Sequence, residues 1–233
     1  MTKPVCIITG VGPGVGSALA RRFSRDDYHV ALIARSEKRL PKLKAELPDS
    51  STYICDVTQE SQINETVAKI TRDVGAPTIA IHNAVGGTFG NFLEVDPAAL
   101  ETNFKVNTMG FLYLARAVAP AMIKEQKGVL IATGNTSAFR GIESYSAFAP
   151  SKAAQRILAE SMARHLGPKG VHVAFLMIDA VINVPWARKM FHDKPEEFFA
   201  DSVTIADEIW HIAHQPRSAW SFNYELRPYA EKW

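Results

Sequence analysis

The chain alternates short apolar runs with longer amphipathic ones almost from end to end. Strand-like runs stand at Val5–Thr9, His29–Ala34, Ser51–Cys55, Thr78–His82, Gly128–Thr133, Val171–Ile178 and roughly Ser221–Leu226. Between them, helix-like runs cover about Val15–Arg25, Ser36–Glu46, Glu60–Val74, Pro97–Gln126, Ser151–Leu166 and Thr204–His214. A strand that is apolar along its whole length is buried on both faces, and strands joined by helices can run parallel. The pattern therefore predicts an α/β fold, a doubly wound parallel sheet with helices on both faces, as one domain over residues 1–233. In the last third of the chain, Trp220, Phe222 and Tyr224 alternate as a strand with one packed face would. One stretch, at about residues 185–202, interrupts the alternation. It carries Trp186, Met190, Phe191, Phe198 and Phe199 and no evident strand. It reads either as a helical insert over a substrate cleft or as peripheral packing.

Composition narrows the classes. A length of 233 residues gives one sizeable core, and 47% apolar with 21% charged residues is ordinary for a globular protein. A net charge of +2 is too slight to suggest nucleic acid or an anionic membrane as partner. No run of about twenty apolar residues is evident, and Met1-Thr-Lys-Pro4 leaves no room for a signal peptide before the first strand. Cys6 and Cys55 both fall in predicted strands and read as buried thiols. A cytoplasmic protein with neither a disulfide nor a metal site is expected. His211 and His214 have no acidic partner at ligand spacing.

The chemistry begins where the first strand ends. Thr9, Gly10, Gly14 and Gly16 form a T-G-x3-G-x-G loop that leads straight into the first helix. A sharp strand-to-helix turn needs glycine, and a phosphate at a helix N-terminus needs backbone without a Cβ in its way. In a βαβ setting this predicts a dinucleotide site.

Other landmarks follow in order: Asp56-Val57 after the third strand, Asn83-Ala84 after the fourth, Asn107 in the long helix, and Lys152-Ala-Ala at the start of an apolar helix. With the glycine loop, they resemble the short-chain dehydrogenase/reductase family over essentially the whole chain. The resemblance implies a Rossmann-like three-layer domain, a nicotinamide cofactor and oxidoreductase chemistry on an alcohol or carbonyl. It also implies a homodimer or homotetramer built on the helix around Phe104–Met122 and the one after Lys152. Cofactor contacts would come from Thr9, Gly10, Gly14, Val15, Gly16, Arg35, Asp56, Val57, Asn83, Ala84, Lys152 and Val181. Asp56 would accept from the adenine amino group, or simply cap the following helix.

The resemblance breaks at the nicotinamide end. The family's tyrosine, four residues before the lysine, is here Phe148; its serine, thirteen before that, is Asn135. Its Pro-Gly after the sixth strand is Ile178-Asp179, and its Asn-Asn-Ala-Gly is His82-Asn-Ala-Val85. A phenyl ring moves no proton. Such an acid is worth roughly 10² to 10⁴ in rate. The implied catalytic set is then Asn107, holding a lysine-linked water; Lys152, on the ribose; Asn135, donating to a substrate oxygen; and Tyr145 as the displaced acid. Tyr145 also reads as a loop tyrosine at the rim. Asp179 reads as an acid, an electrostatic brake or a backbone cap, and His82 as a satisfied core histidine.

Arg35 decides the cofactor expectation. A guanidinium suits a 2′-phosphate, and Ala34 puts no acid beside it, so NADP(H) is expected in preference to NAD(H). The plainer reading is a solvated basic face shared with Lys38, Arg39, Lys42 and Lys44. Two functional classes stay open: an NADP(H)-dependent oxidoreductase acting on a small molecule, and a catalytically silent dinucleotide-binding or oligomer-partner protein.

Overall fold

The computed structural model describes residues 3–230; Met1 and Thr2, part of the short stretch in which no signal peptide is expected, lie outside the described residues. Nine strands occur among them: β1 (Val5–Thr9), β2 (His29–Ala34), β3 (Ser50–Ile54), β4 (Pro77–His82), β5 (Gly128–Asn135), β6 (Val171–Ile178), β7 (Val181–Ile182), β8 (Phe199–Ala200) and β9 (Asn223–Leu226). The α-helices are α1 (Val15–Arg25), α2 (Leu40–Glu46), α3 (Glu60–Asp73), α4 (Pro97–Phe104), α5 (Gly110–Lys124), α6 (Ala149–Leu166), α7 (Pro185–Met190) and α8 (Ser202–Ala213). Seven strands form one parallel sheet in the order β3-β2-β1-β4-β5-β6-β9.

The period-two rule places the core. On β1, Val5 and Ile7 join the apolar layer that holds Phe111, Leu114 and Phe175, while Cys6 and Ile8 join the opposite layer with Leu19, Phe23 and Ile209. Both faces are covered, so β6 is buried over its full length. Cys6 and Cys55 are buried free thiols.

Several boundaries differ from the sequence expectation. The second helical run begins as a 3-10 turn, Glu37–Arg39, and α6 starts at Ala149, two residues early. The helix predicted over Pro97–Gln126 is interrupted by a π turn at Lys105–Met109. This stretch also corrects the hydropathy reading. Among the described residues, Pro97–Lys124 is long and apolar enough to cross a membrane by length and composition. Half of that window is buried within the fold. The 185–202 stretch does contain a strand: β8 pairs with β7, Val181 opposite Phe199. It closes a small cluster of Val184, Ala187 and Phe199, with Phe191 and Phe198 packed against it.

The strand order reverses at β1, which has β2 on one side and β4 on the other. An open α/β sheet forms its ligand crevice at that point, beyond the carboxyl ends of the strands. Packing next to the crevice is tight. A Cβ on Gly134 of β5 would lie 2.0 Å from Cζ of the buried Phe175 ring. Gly134→Ala is therefore expected to cost about 1–3 kcal/mol, read as a lower urea midpoint. Phe175→Leu added to it is expected to recover part of the loss.

Candidate active site

The floor of the crevice is backbone. Gly10 has φ +71°, and a Cβ there would stand 2.5 Å from the Ala84 backbone, so the loops after β1 and β4 nearly touch. Asn83 Nδ2 donates to the Gly10 carbonyl at 3.0 Å, and Val11 N–H donates to Ile33 O at the end of β2. A Cβ on Gly16 would meet Gly10 O at 2.6 Å, and one on Gly14 would meet Val184 Cγ1 at 2.8 Å. Gly14 caps α1 without any side-chain bond. The first-turn N–H groups of a helix have no partner within the helix, and at Val15 and Gly16 they border the cleft.

The cleft measures ≈ 390 Å³. Of the residues expected to hold a cofactor, it is lined by Gly10, Gly14, Val15, Gly16, Arg35, Val57, Asn83 and Ala84. Ile182, Val184 and Trp186 form the facing wall; of the 185–202 stretch only Trp186 lines the cleft, while Ala187, Phe191, Phe198 and Phe199 pack into their own cluster. Trp186 is 61% exposed there. Arg35 is exposed at the rim, and among the described residues neither it nor Lys38, Arg39 or Lys42 is ion-paired. The arrangement fits a dinucleotide: bare backbone and a helix N-terminus for the pyrophosphate, and an unpaired cation beyond β2.

Four expected contacts lie outside the lining. Thr9 is buried beneath the loop, its hydroxyl against His82 Nδ1 at 3.2 Å. Asp56 Oδ1 accepts from Thr58 N–H and Thr58 Oγ1, building the turn before α3 rather than capping that helix, whose N-cap is Gln59. Val181 sits on β7, one residue from the wall. Lys152 is 2% exposed, and its Nζ donates to Thr133 O at 3.0 Å and Gln155 Oε1 at 2.8 Å. Burial pushes its pKa down to about 7.

Asn107 lies in the π turn and is fully buried. Its Oδ1 accepts from Gly86 N–H, and its Nδ2 donates to Gly86 O and Ser151 Oγ. The side chain thus clamps the loop after β4 and makes no bond to Lys152. The π turn also explains His82. Gly110 N–H bonds Lys105 O, five residues back, and His82 Nε2 donates to Val106 O at 3.0 Å. A carbonyl only accepts, so Nε2 carries a proton; in the neutral ring Nδ1 then accepts from the Thr9 hydroxyl. Burial, with the nearby Lys152 charge, lowers its pKa to about 3. His82 is a satisfied core histidine.

Phe148 is buried at the head of α6, edge-on to Phe89 (5.1 Å) and Tyr145 (5.9 Å). Tyr145 also meets Phe89 at 5.2 Å, and Gly90 N–H donates to Ser144 O at 2.7 Å, tying the β4 loop to this turn. Tyr145 O accepts from Ala149 N–H, so it sits one helical turn before α6 proper. Its ring lines a separate hollow of ≈ 360 Å³ with Ser137, Arg140 and Ile142. Asn135 ends β5, and its Oδ1 accepts from Ser137 Oγ. Asp179 is not a backbone cap in this structure. Its carboxylate faces Arg140 (3.6 Å) and Arg227 (3.9 Å), while its N–H donates to Leu226 O. Arg227 also pairs with Glu225.

Sequence reasoning missed Gln155 and Ser151. The signal was there: both are polar residues on the inward face of a helix that is otherwise apolar on that side, Gln155 one turn after Lys152.

The model of the short chain dehydrogenase family matches residues 4–194. The chain belongs to that family. An uncharacterized oxidoreductase of Staphylococcus saprophyticus is 28% identical over 201 residues, 82% of this chain and 86% of that one. A short-chain dehydrogenase from Rhodopseudomonas palustris shares the fold at TM-score 0.84 and 25% identity, over 97% of this chain and 99% of that one. An alcohol dehydrogenase from the archaeon Thermococcus sibiricus, complexed with 5-hydroxy-NADP, superposes at TM-score 0.87 and 24% identity over 98% of each chain. The protein is thus a short-chain dehydrogenase-type oxidoreductase by family, with the β1–α1 loop and Asn83-Ala84 joined at one cleft.

The buried histidine gives a pH test. A folded pKa near 3 lies below the ordinary 6.5, so the unfolded chain binds the extra proton as pH falls between them. Stability from this group is full above about 6.5 and is lost toward about 3, at up to ~1.4 kcal/mol per pH unit. His82→Gln is expected to be less stable at neutral pH but to show a shallower acid-side decline. Urea titrations from pH 7 to 4 measure the difference.

Proposed function

We propose that the protein binds NADP(H) and interconverts a small alcohol and its carbonyl through an atypical active site, in the cytoplasm. The observation that carries the cofactor half is the rim of the cleft. Arg35 stands unpaired beyond β2, next to Ala34, where no acid opposes a phosphate. When bound, the nicotinamide supplies or accepts the hydride. The chain's own residues do the rest. The β1–α1 loop holds the pyrophosphate, the Ile182–Trp186 wall excludes water, and Asn83 and Thr133 fix the floor.

The atypical feature is Phe148, which holds the position of the family's tyrosine and cannot move a proton. Tyr145 is the phenol that touches its ring, one turn ahead, and supplies the proton in this reading. Asn135 offers its amide N–H to the substrate oxygen where the family has serine; Ser137 already occupies its carbonyl. Orientation of donor and acceptor alone is worth up to about 7–11 kcal/mol, so a displaced acid need not abolish turnover. The buried free thiols suit a reducing compartment. Association into a dimer or tetramer would use the apolar groove between α5 and α6, where Ile123, Leu158 and Met162 line the surface.

Two measurements test this. Titration of cofactor-stripped protein by reduced-nicotinamide fluorescence is expected to favour NADPH over NADH. Arg35→Glu is expected to weaken NADPH about 10- to 100-fold and leave NADH little changed, the loss of charge-assisted bonds to one phosphate. No binding of either nucleotide would sink the oxidoreductase reading. In a screen of aldehydes and ketones, Tyr145→Phe is expected to cut kcat by about 10²–10⁴ with NADPH affinity retained. Unchanged turnover would remove Tyr145 from the mechanism.

A further inference from the structure

Gln155 is fully buried in α6, one turn beyond Lys152. Its Oε1 accepts from Lys152 Nζ at 2.8 Å, while its Nε2, buried too, has no partner among the described residues. The lysine alone fixes the amide's orientation, because turning the amide over would aim an N–H₂ donor at an ammonium. A glutamine that leaves half its amide unpaired in a core is costly, and an apolar residue of the same shape would fit without that cost. What the glutamine contributes is therefore the single bond to Lys152.

The second partner of Nζ is backbone, Thr133 O at 3.0 Å. The Thr133 hydroxyl donates to Asn83 Oδ1, and Asn83 Nδ2 donates to Gly10 O, so the ammonium ends a polar chain that reaches the glycine loop. Among the described residues, no carboxylate pairs with Nζ. β5 offers the Thr133 carbonyl, the π turn engages Ser151 through Asn107 and Thr108, and His82 on β4 is neutral with both ring nitrogens engaged.

We infer that Gln155 is a positioning residue for Lys152, holding the ammonium at β5 and stabilising its charged form where residue 148 offers no phenol. The inference deepens the proposed oxidoreductase reading, since the ammonium is the one expected at the cofactor ribose. Burial without a hydrogen-bonding neighbour would discharge this lysine, and Gln155 opposes that. Thus Gln155 sets the pH range over which Lys152, buried against β5 behind the cleft lining, stays charged.

The test uses full-length protein labelled with 13C at lysine Cε, the Lys152 resonance being assigned by its absence in Lys152→Met. Its titration is followed by NMR from pH 5 to 11. Gln155→Met keeps the volume and removes the acceptor, and is expected to lower the protonation constant of Lys152 about 10- to 100-fold. Gln155→Glu replaces the acceptor with a carboxylate and is expected to raise it. Opposite shifts in the two variants support the assignment, and either variant alone still carries a sign if the other fails to fold. A folded variant that titrates at the wild-type midpoint overturns it and makes Gln155 a packing residue. NADPH titration of the same samples is read separately. If wild type binds no NADPH, the oxidoreductase reading fails while the lysine titration still decides the role of Gln155.

Discussion

The near-contact between the loops after β1 and β4 is the constraint on which the site depends. With Gly10 in the left-handed region and 2.5 Å of room for a Cβ against Ala84, no other residue type fits there without moving a strand end. Asn83 then locks the approach through the Gly10 carbonyl. Everything the cleft presents follows from this closure: the α1 N-terminus faces inward, and Arg35 comes to the rim through the tie from Val11 to β2. The sheet holds these loops rigidly because both of its faces are packed.

A second constraint is the π turn. One extra residue in the helical ladder shifts a backbone bond, and the fold uses the resulting geometry twice. His82 donates to Val106 O, and Asn107 is aimed at the Gly86 backbone. Through Thr9 and His82, the first strand, the fourth strand and this turn share one buried polar line. Asn107 and Lys152, expected to hold a water and the ribose, also bond protein: Asn107 to Gly86 and Ser151, Lys152 to Thr133 O and Gln155.

The fold was legible because apolar runs of both periods were unambiguous and each fell between turn residues. The parallel sheet with helices on both faces followed from them; the order of its strands did not. The misses have physical causes. The break at Lys105–Met109 leaves no mark in an apolar helical pattern, since a π turn changes hydrogen bonding and not hydrophobicity. The β7–β8 pair is too short to show a period. At the site, the glycine loop and Arg35 were readable as residue types in fixed places. The partners of Lys152, Asn107 and Asp179 were not, because each is a long-range contact chosen by packing. Tyr145 shows the limit most clearly. Its three-residue offset from Phe148 is legible in the sequence, but the hollow it lines with Ser137 and Ile142 is not.

The insert has its own small apolar cluster, closed by one two-residue strand pair, whose residues Ile182 and Ala200 pack against the main core. A unit held by so few contacts opens at a lower free energy than the sheet beneath it. The cover of the cleft and its floor therefore belong to different thermal regimes. As temperature rises, the Ile182–Trp186 wall loosens while the glycine loop is still in place, so a bound dinucleotide would lose its shelter from solvent before it lost its seat.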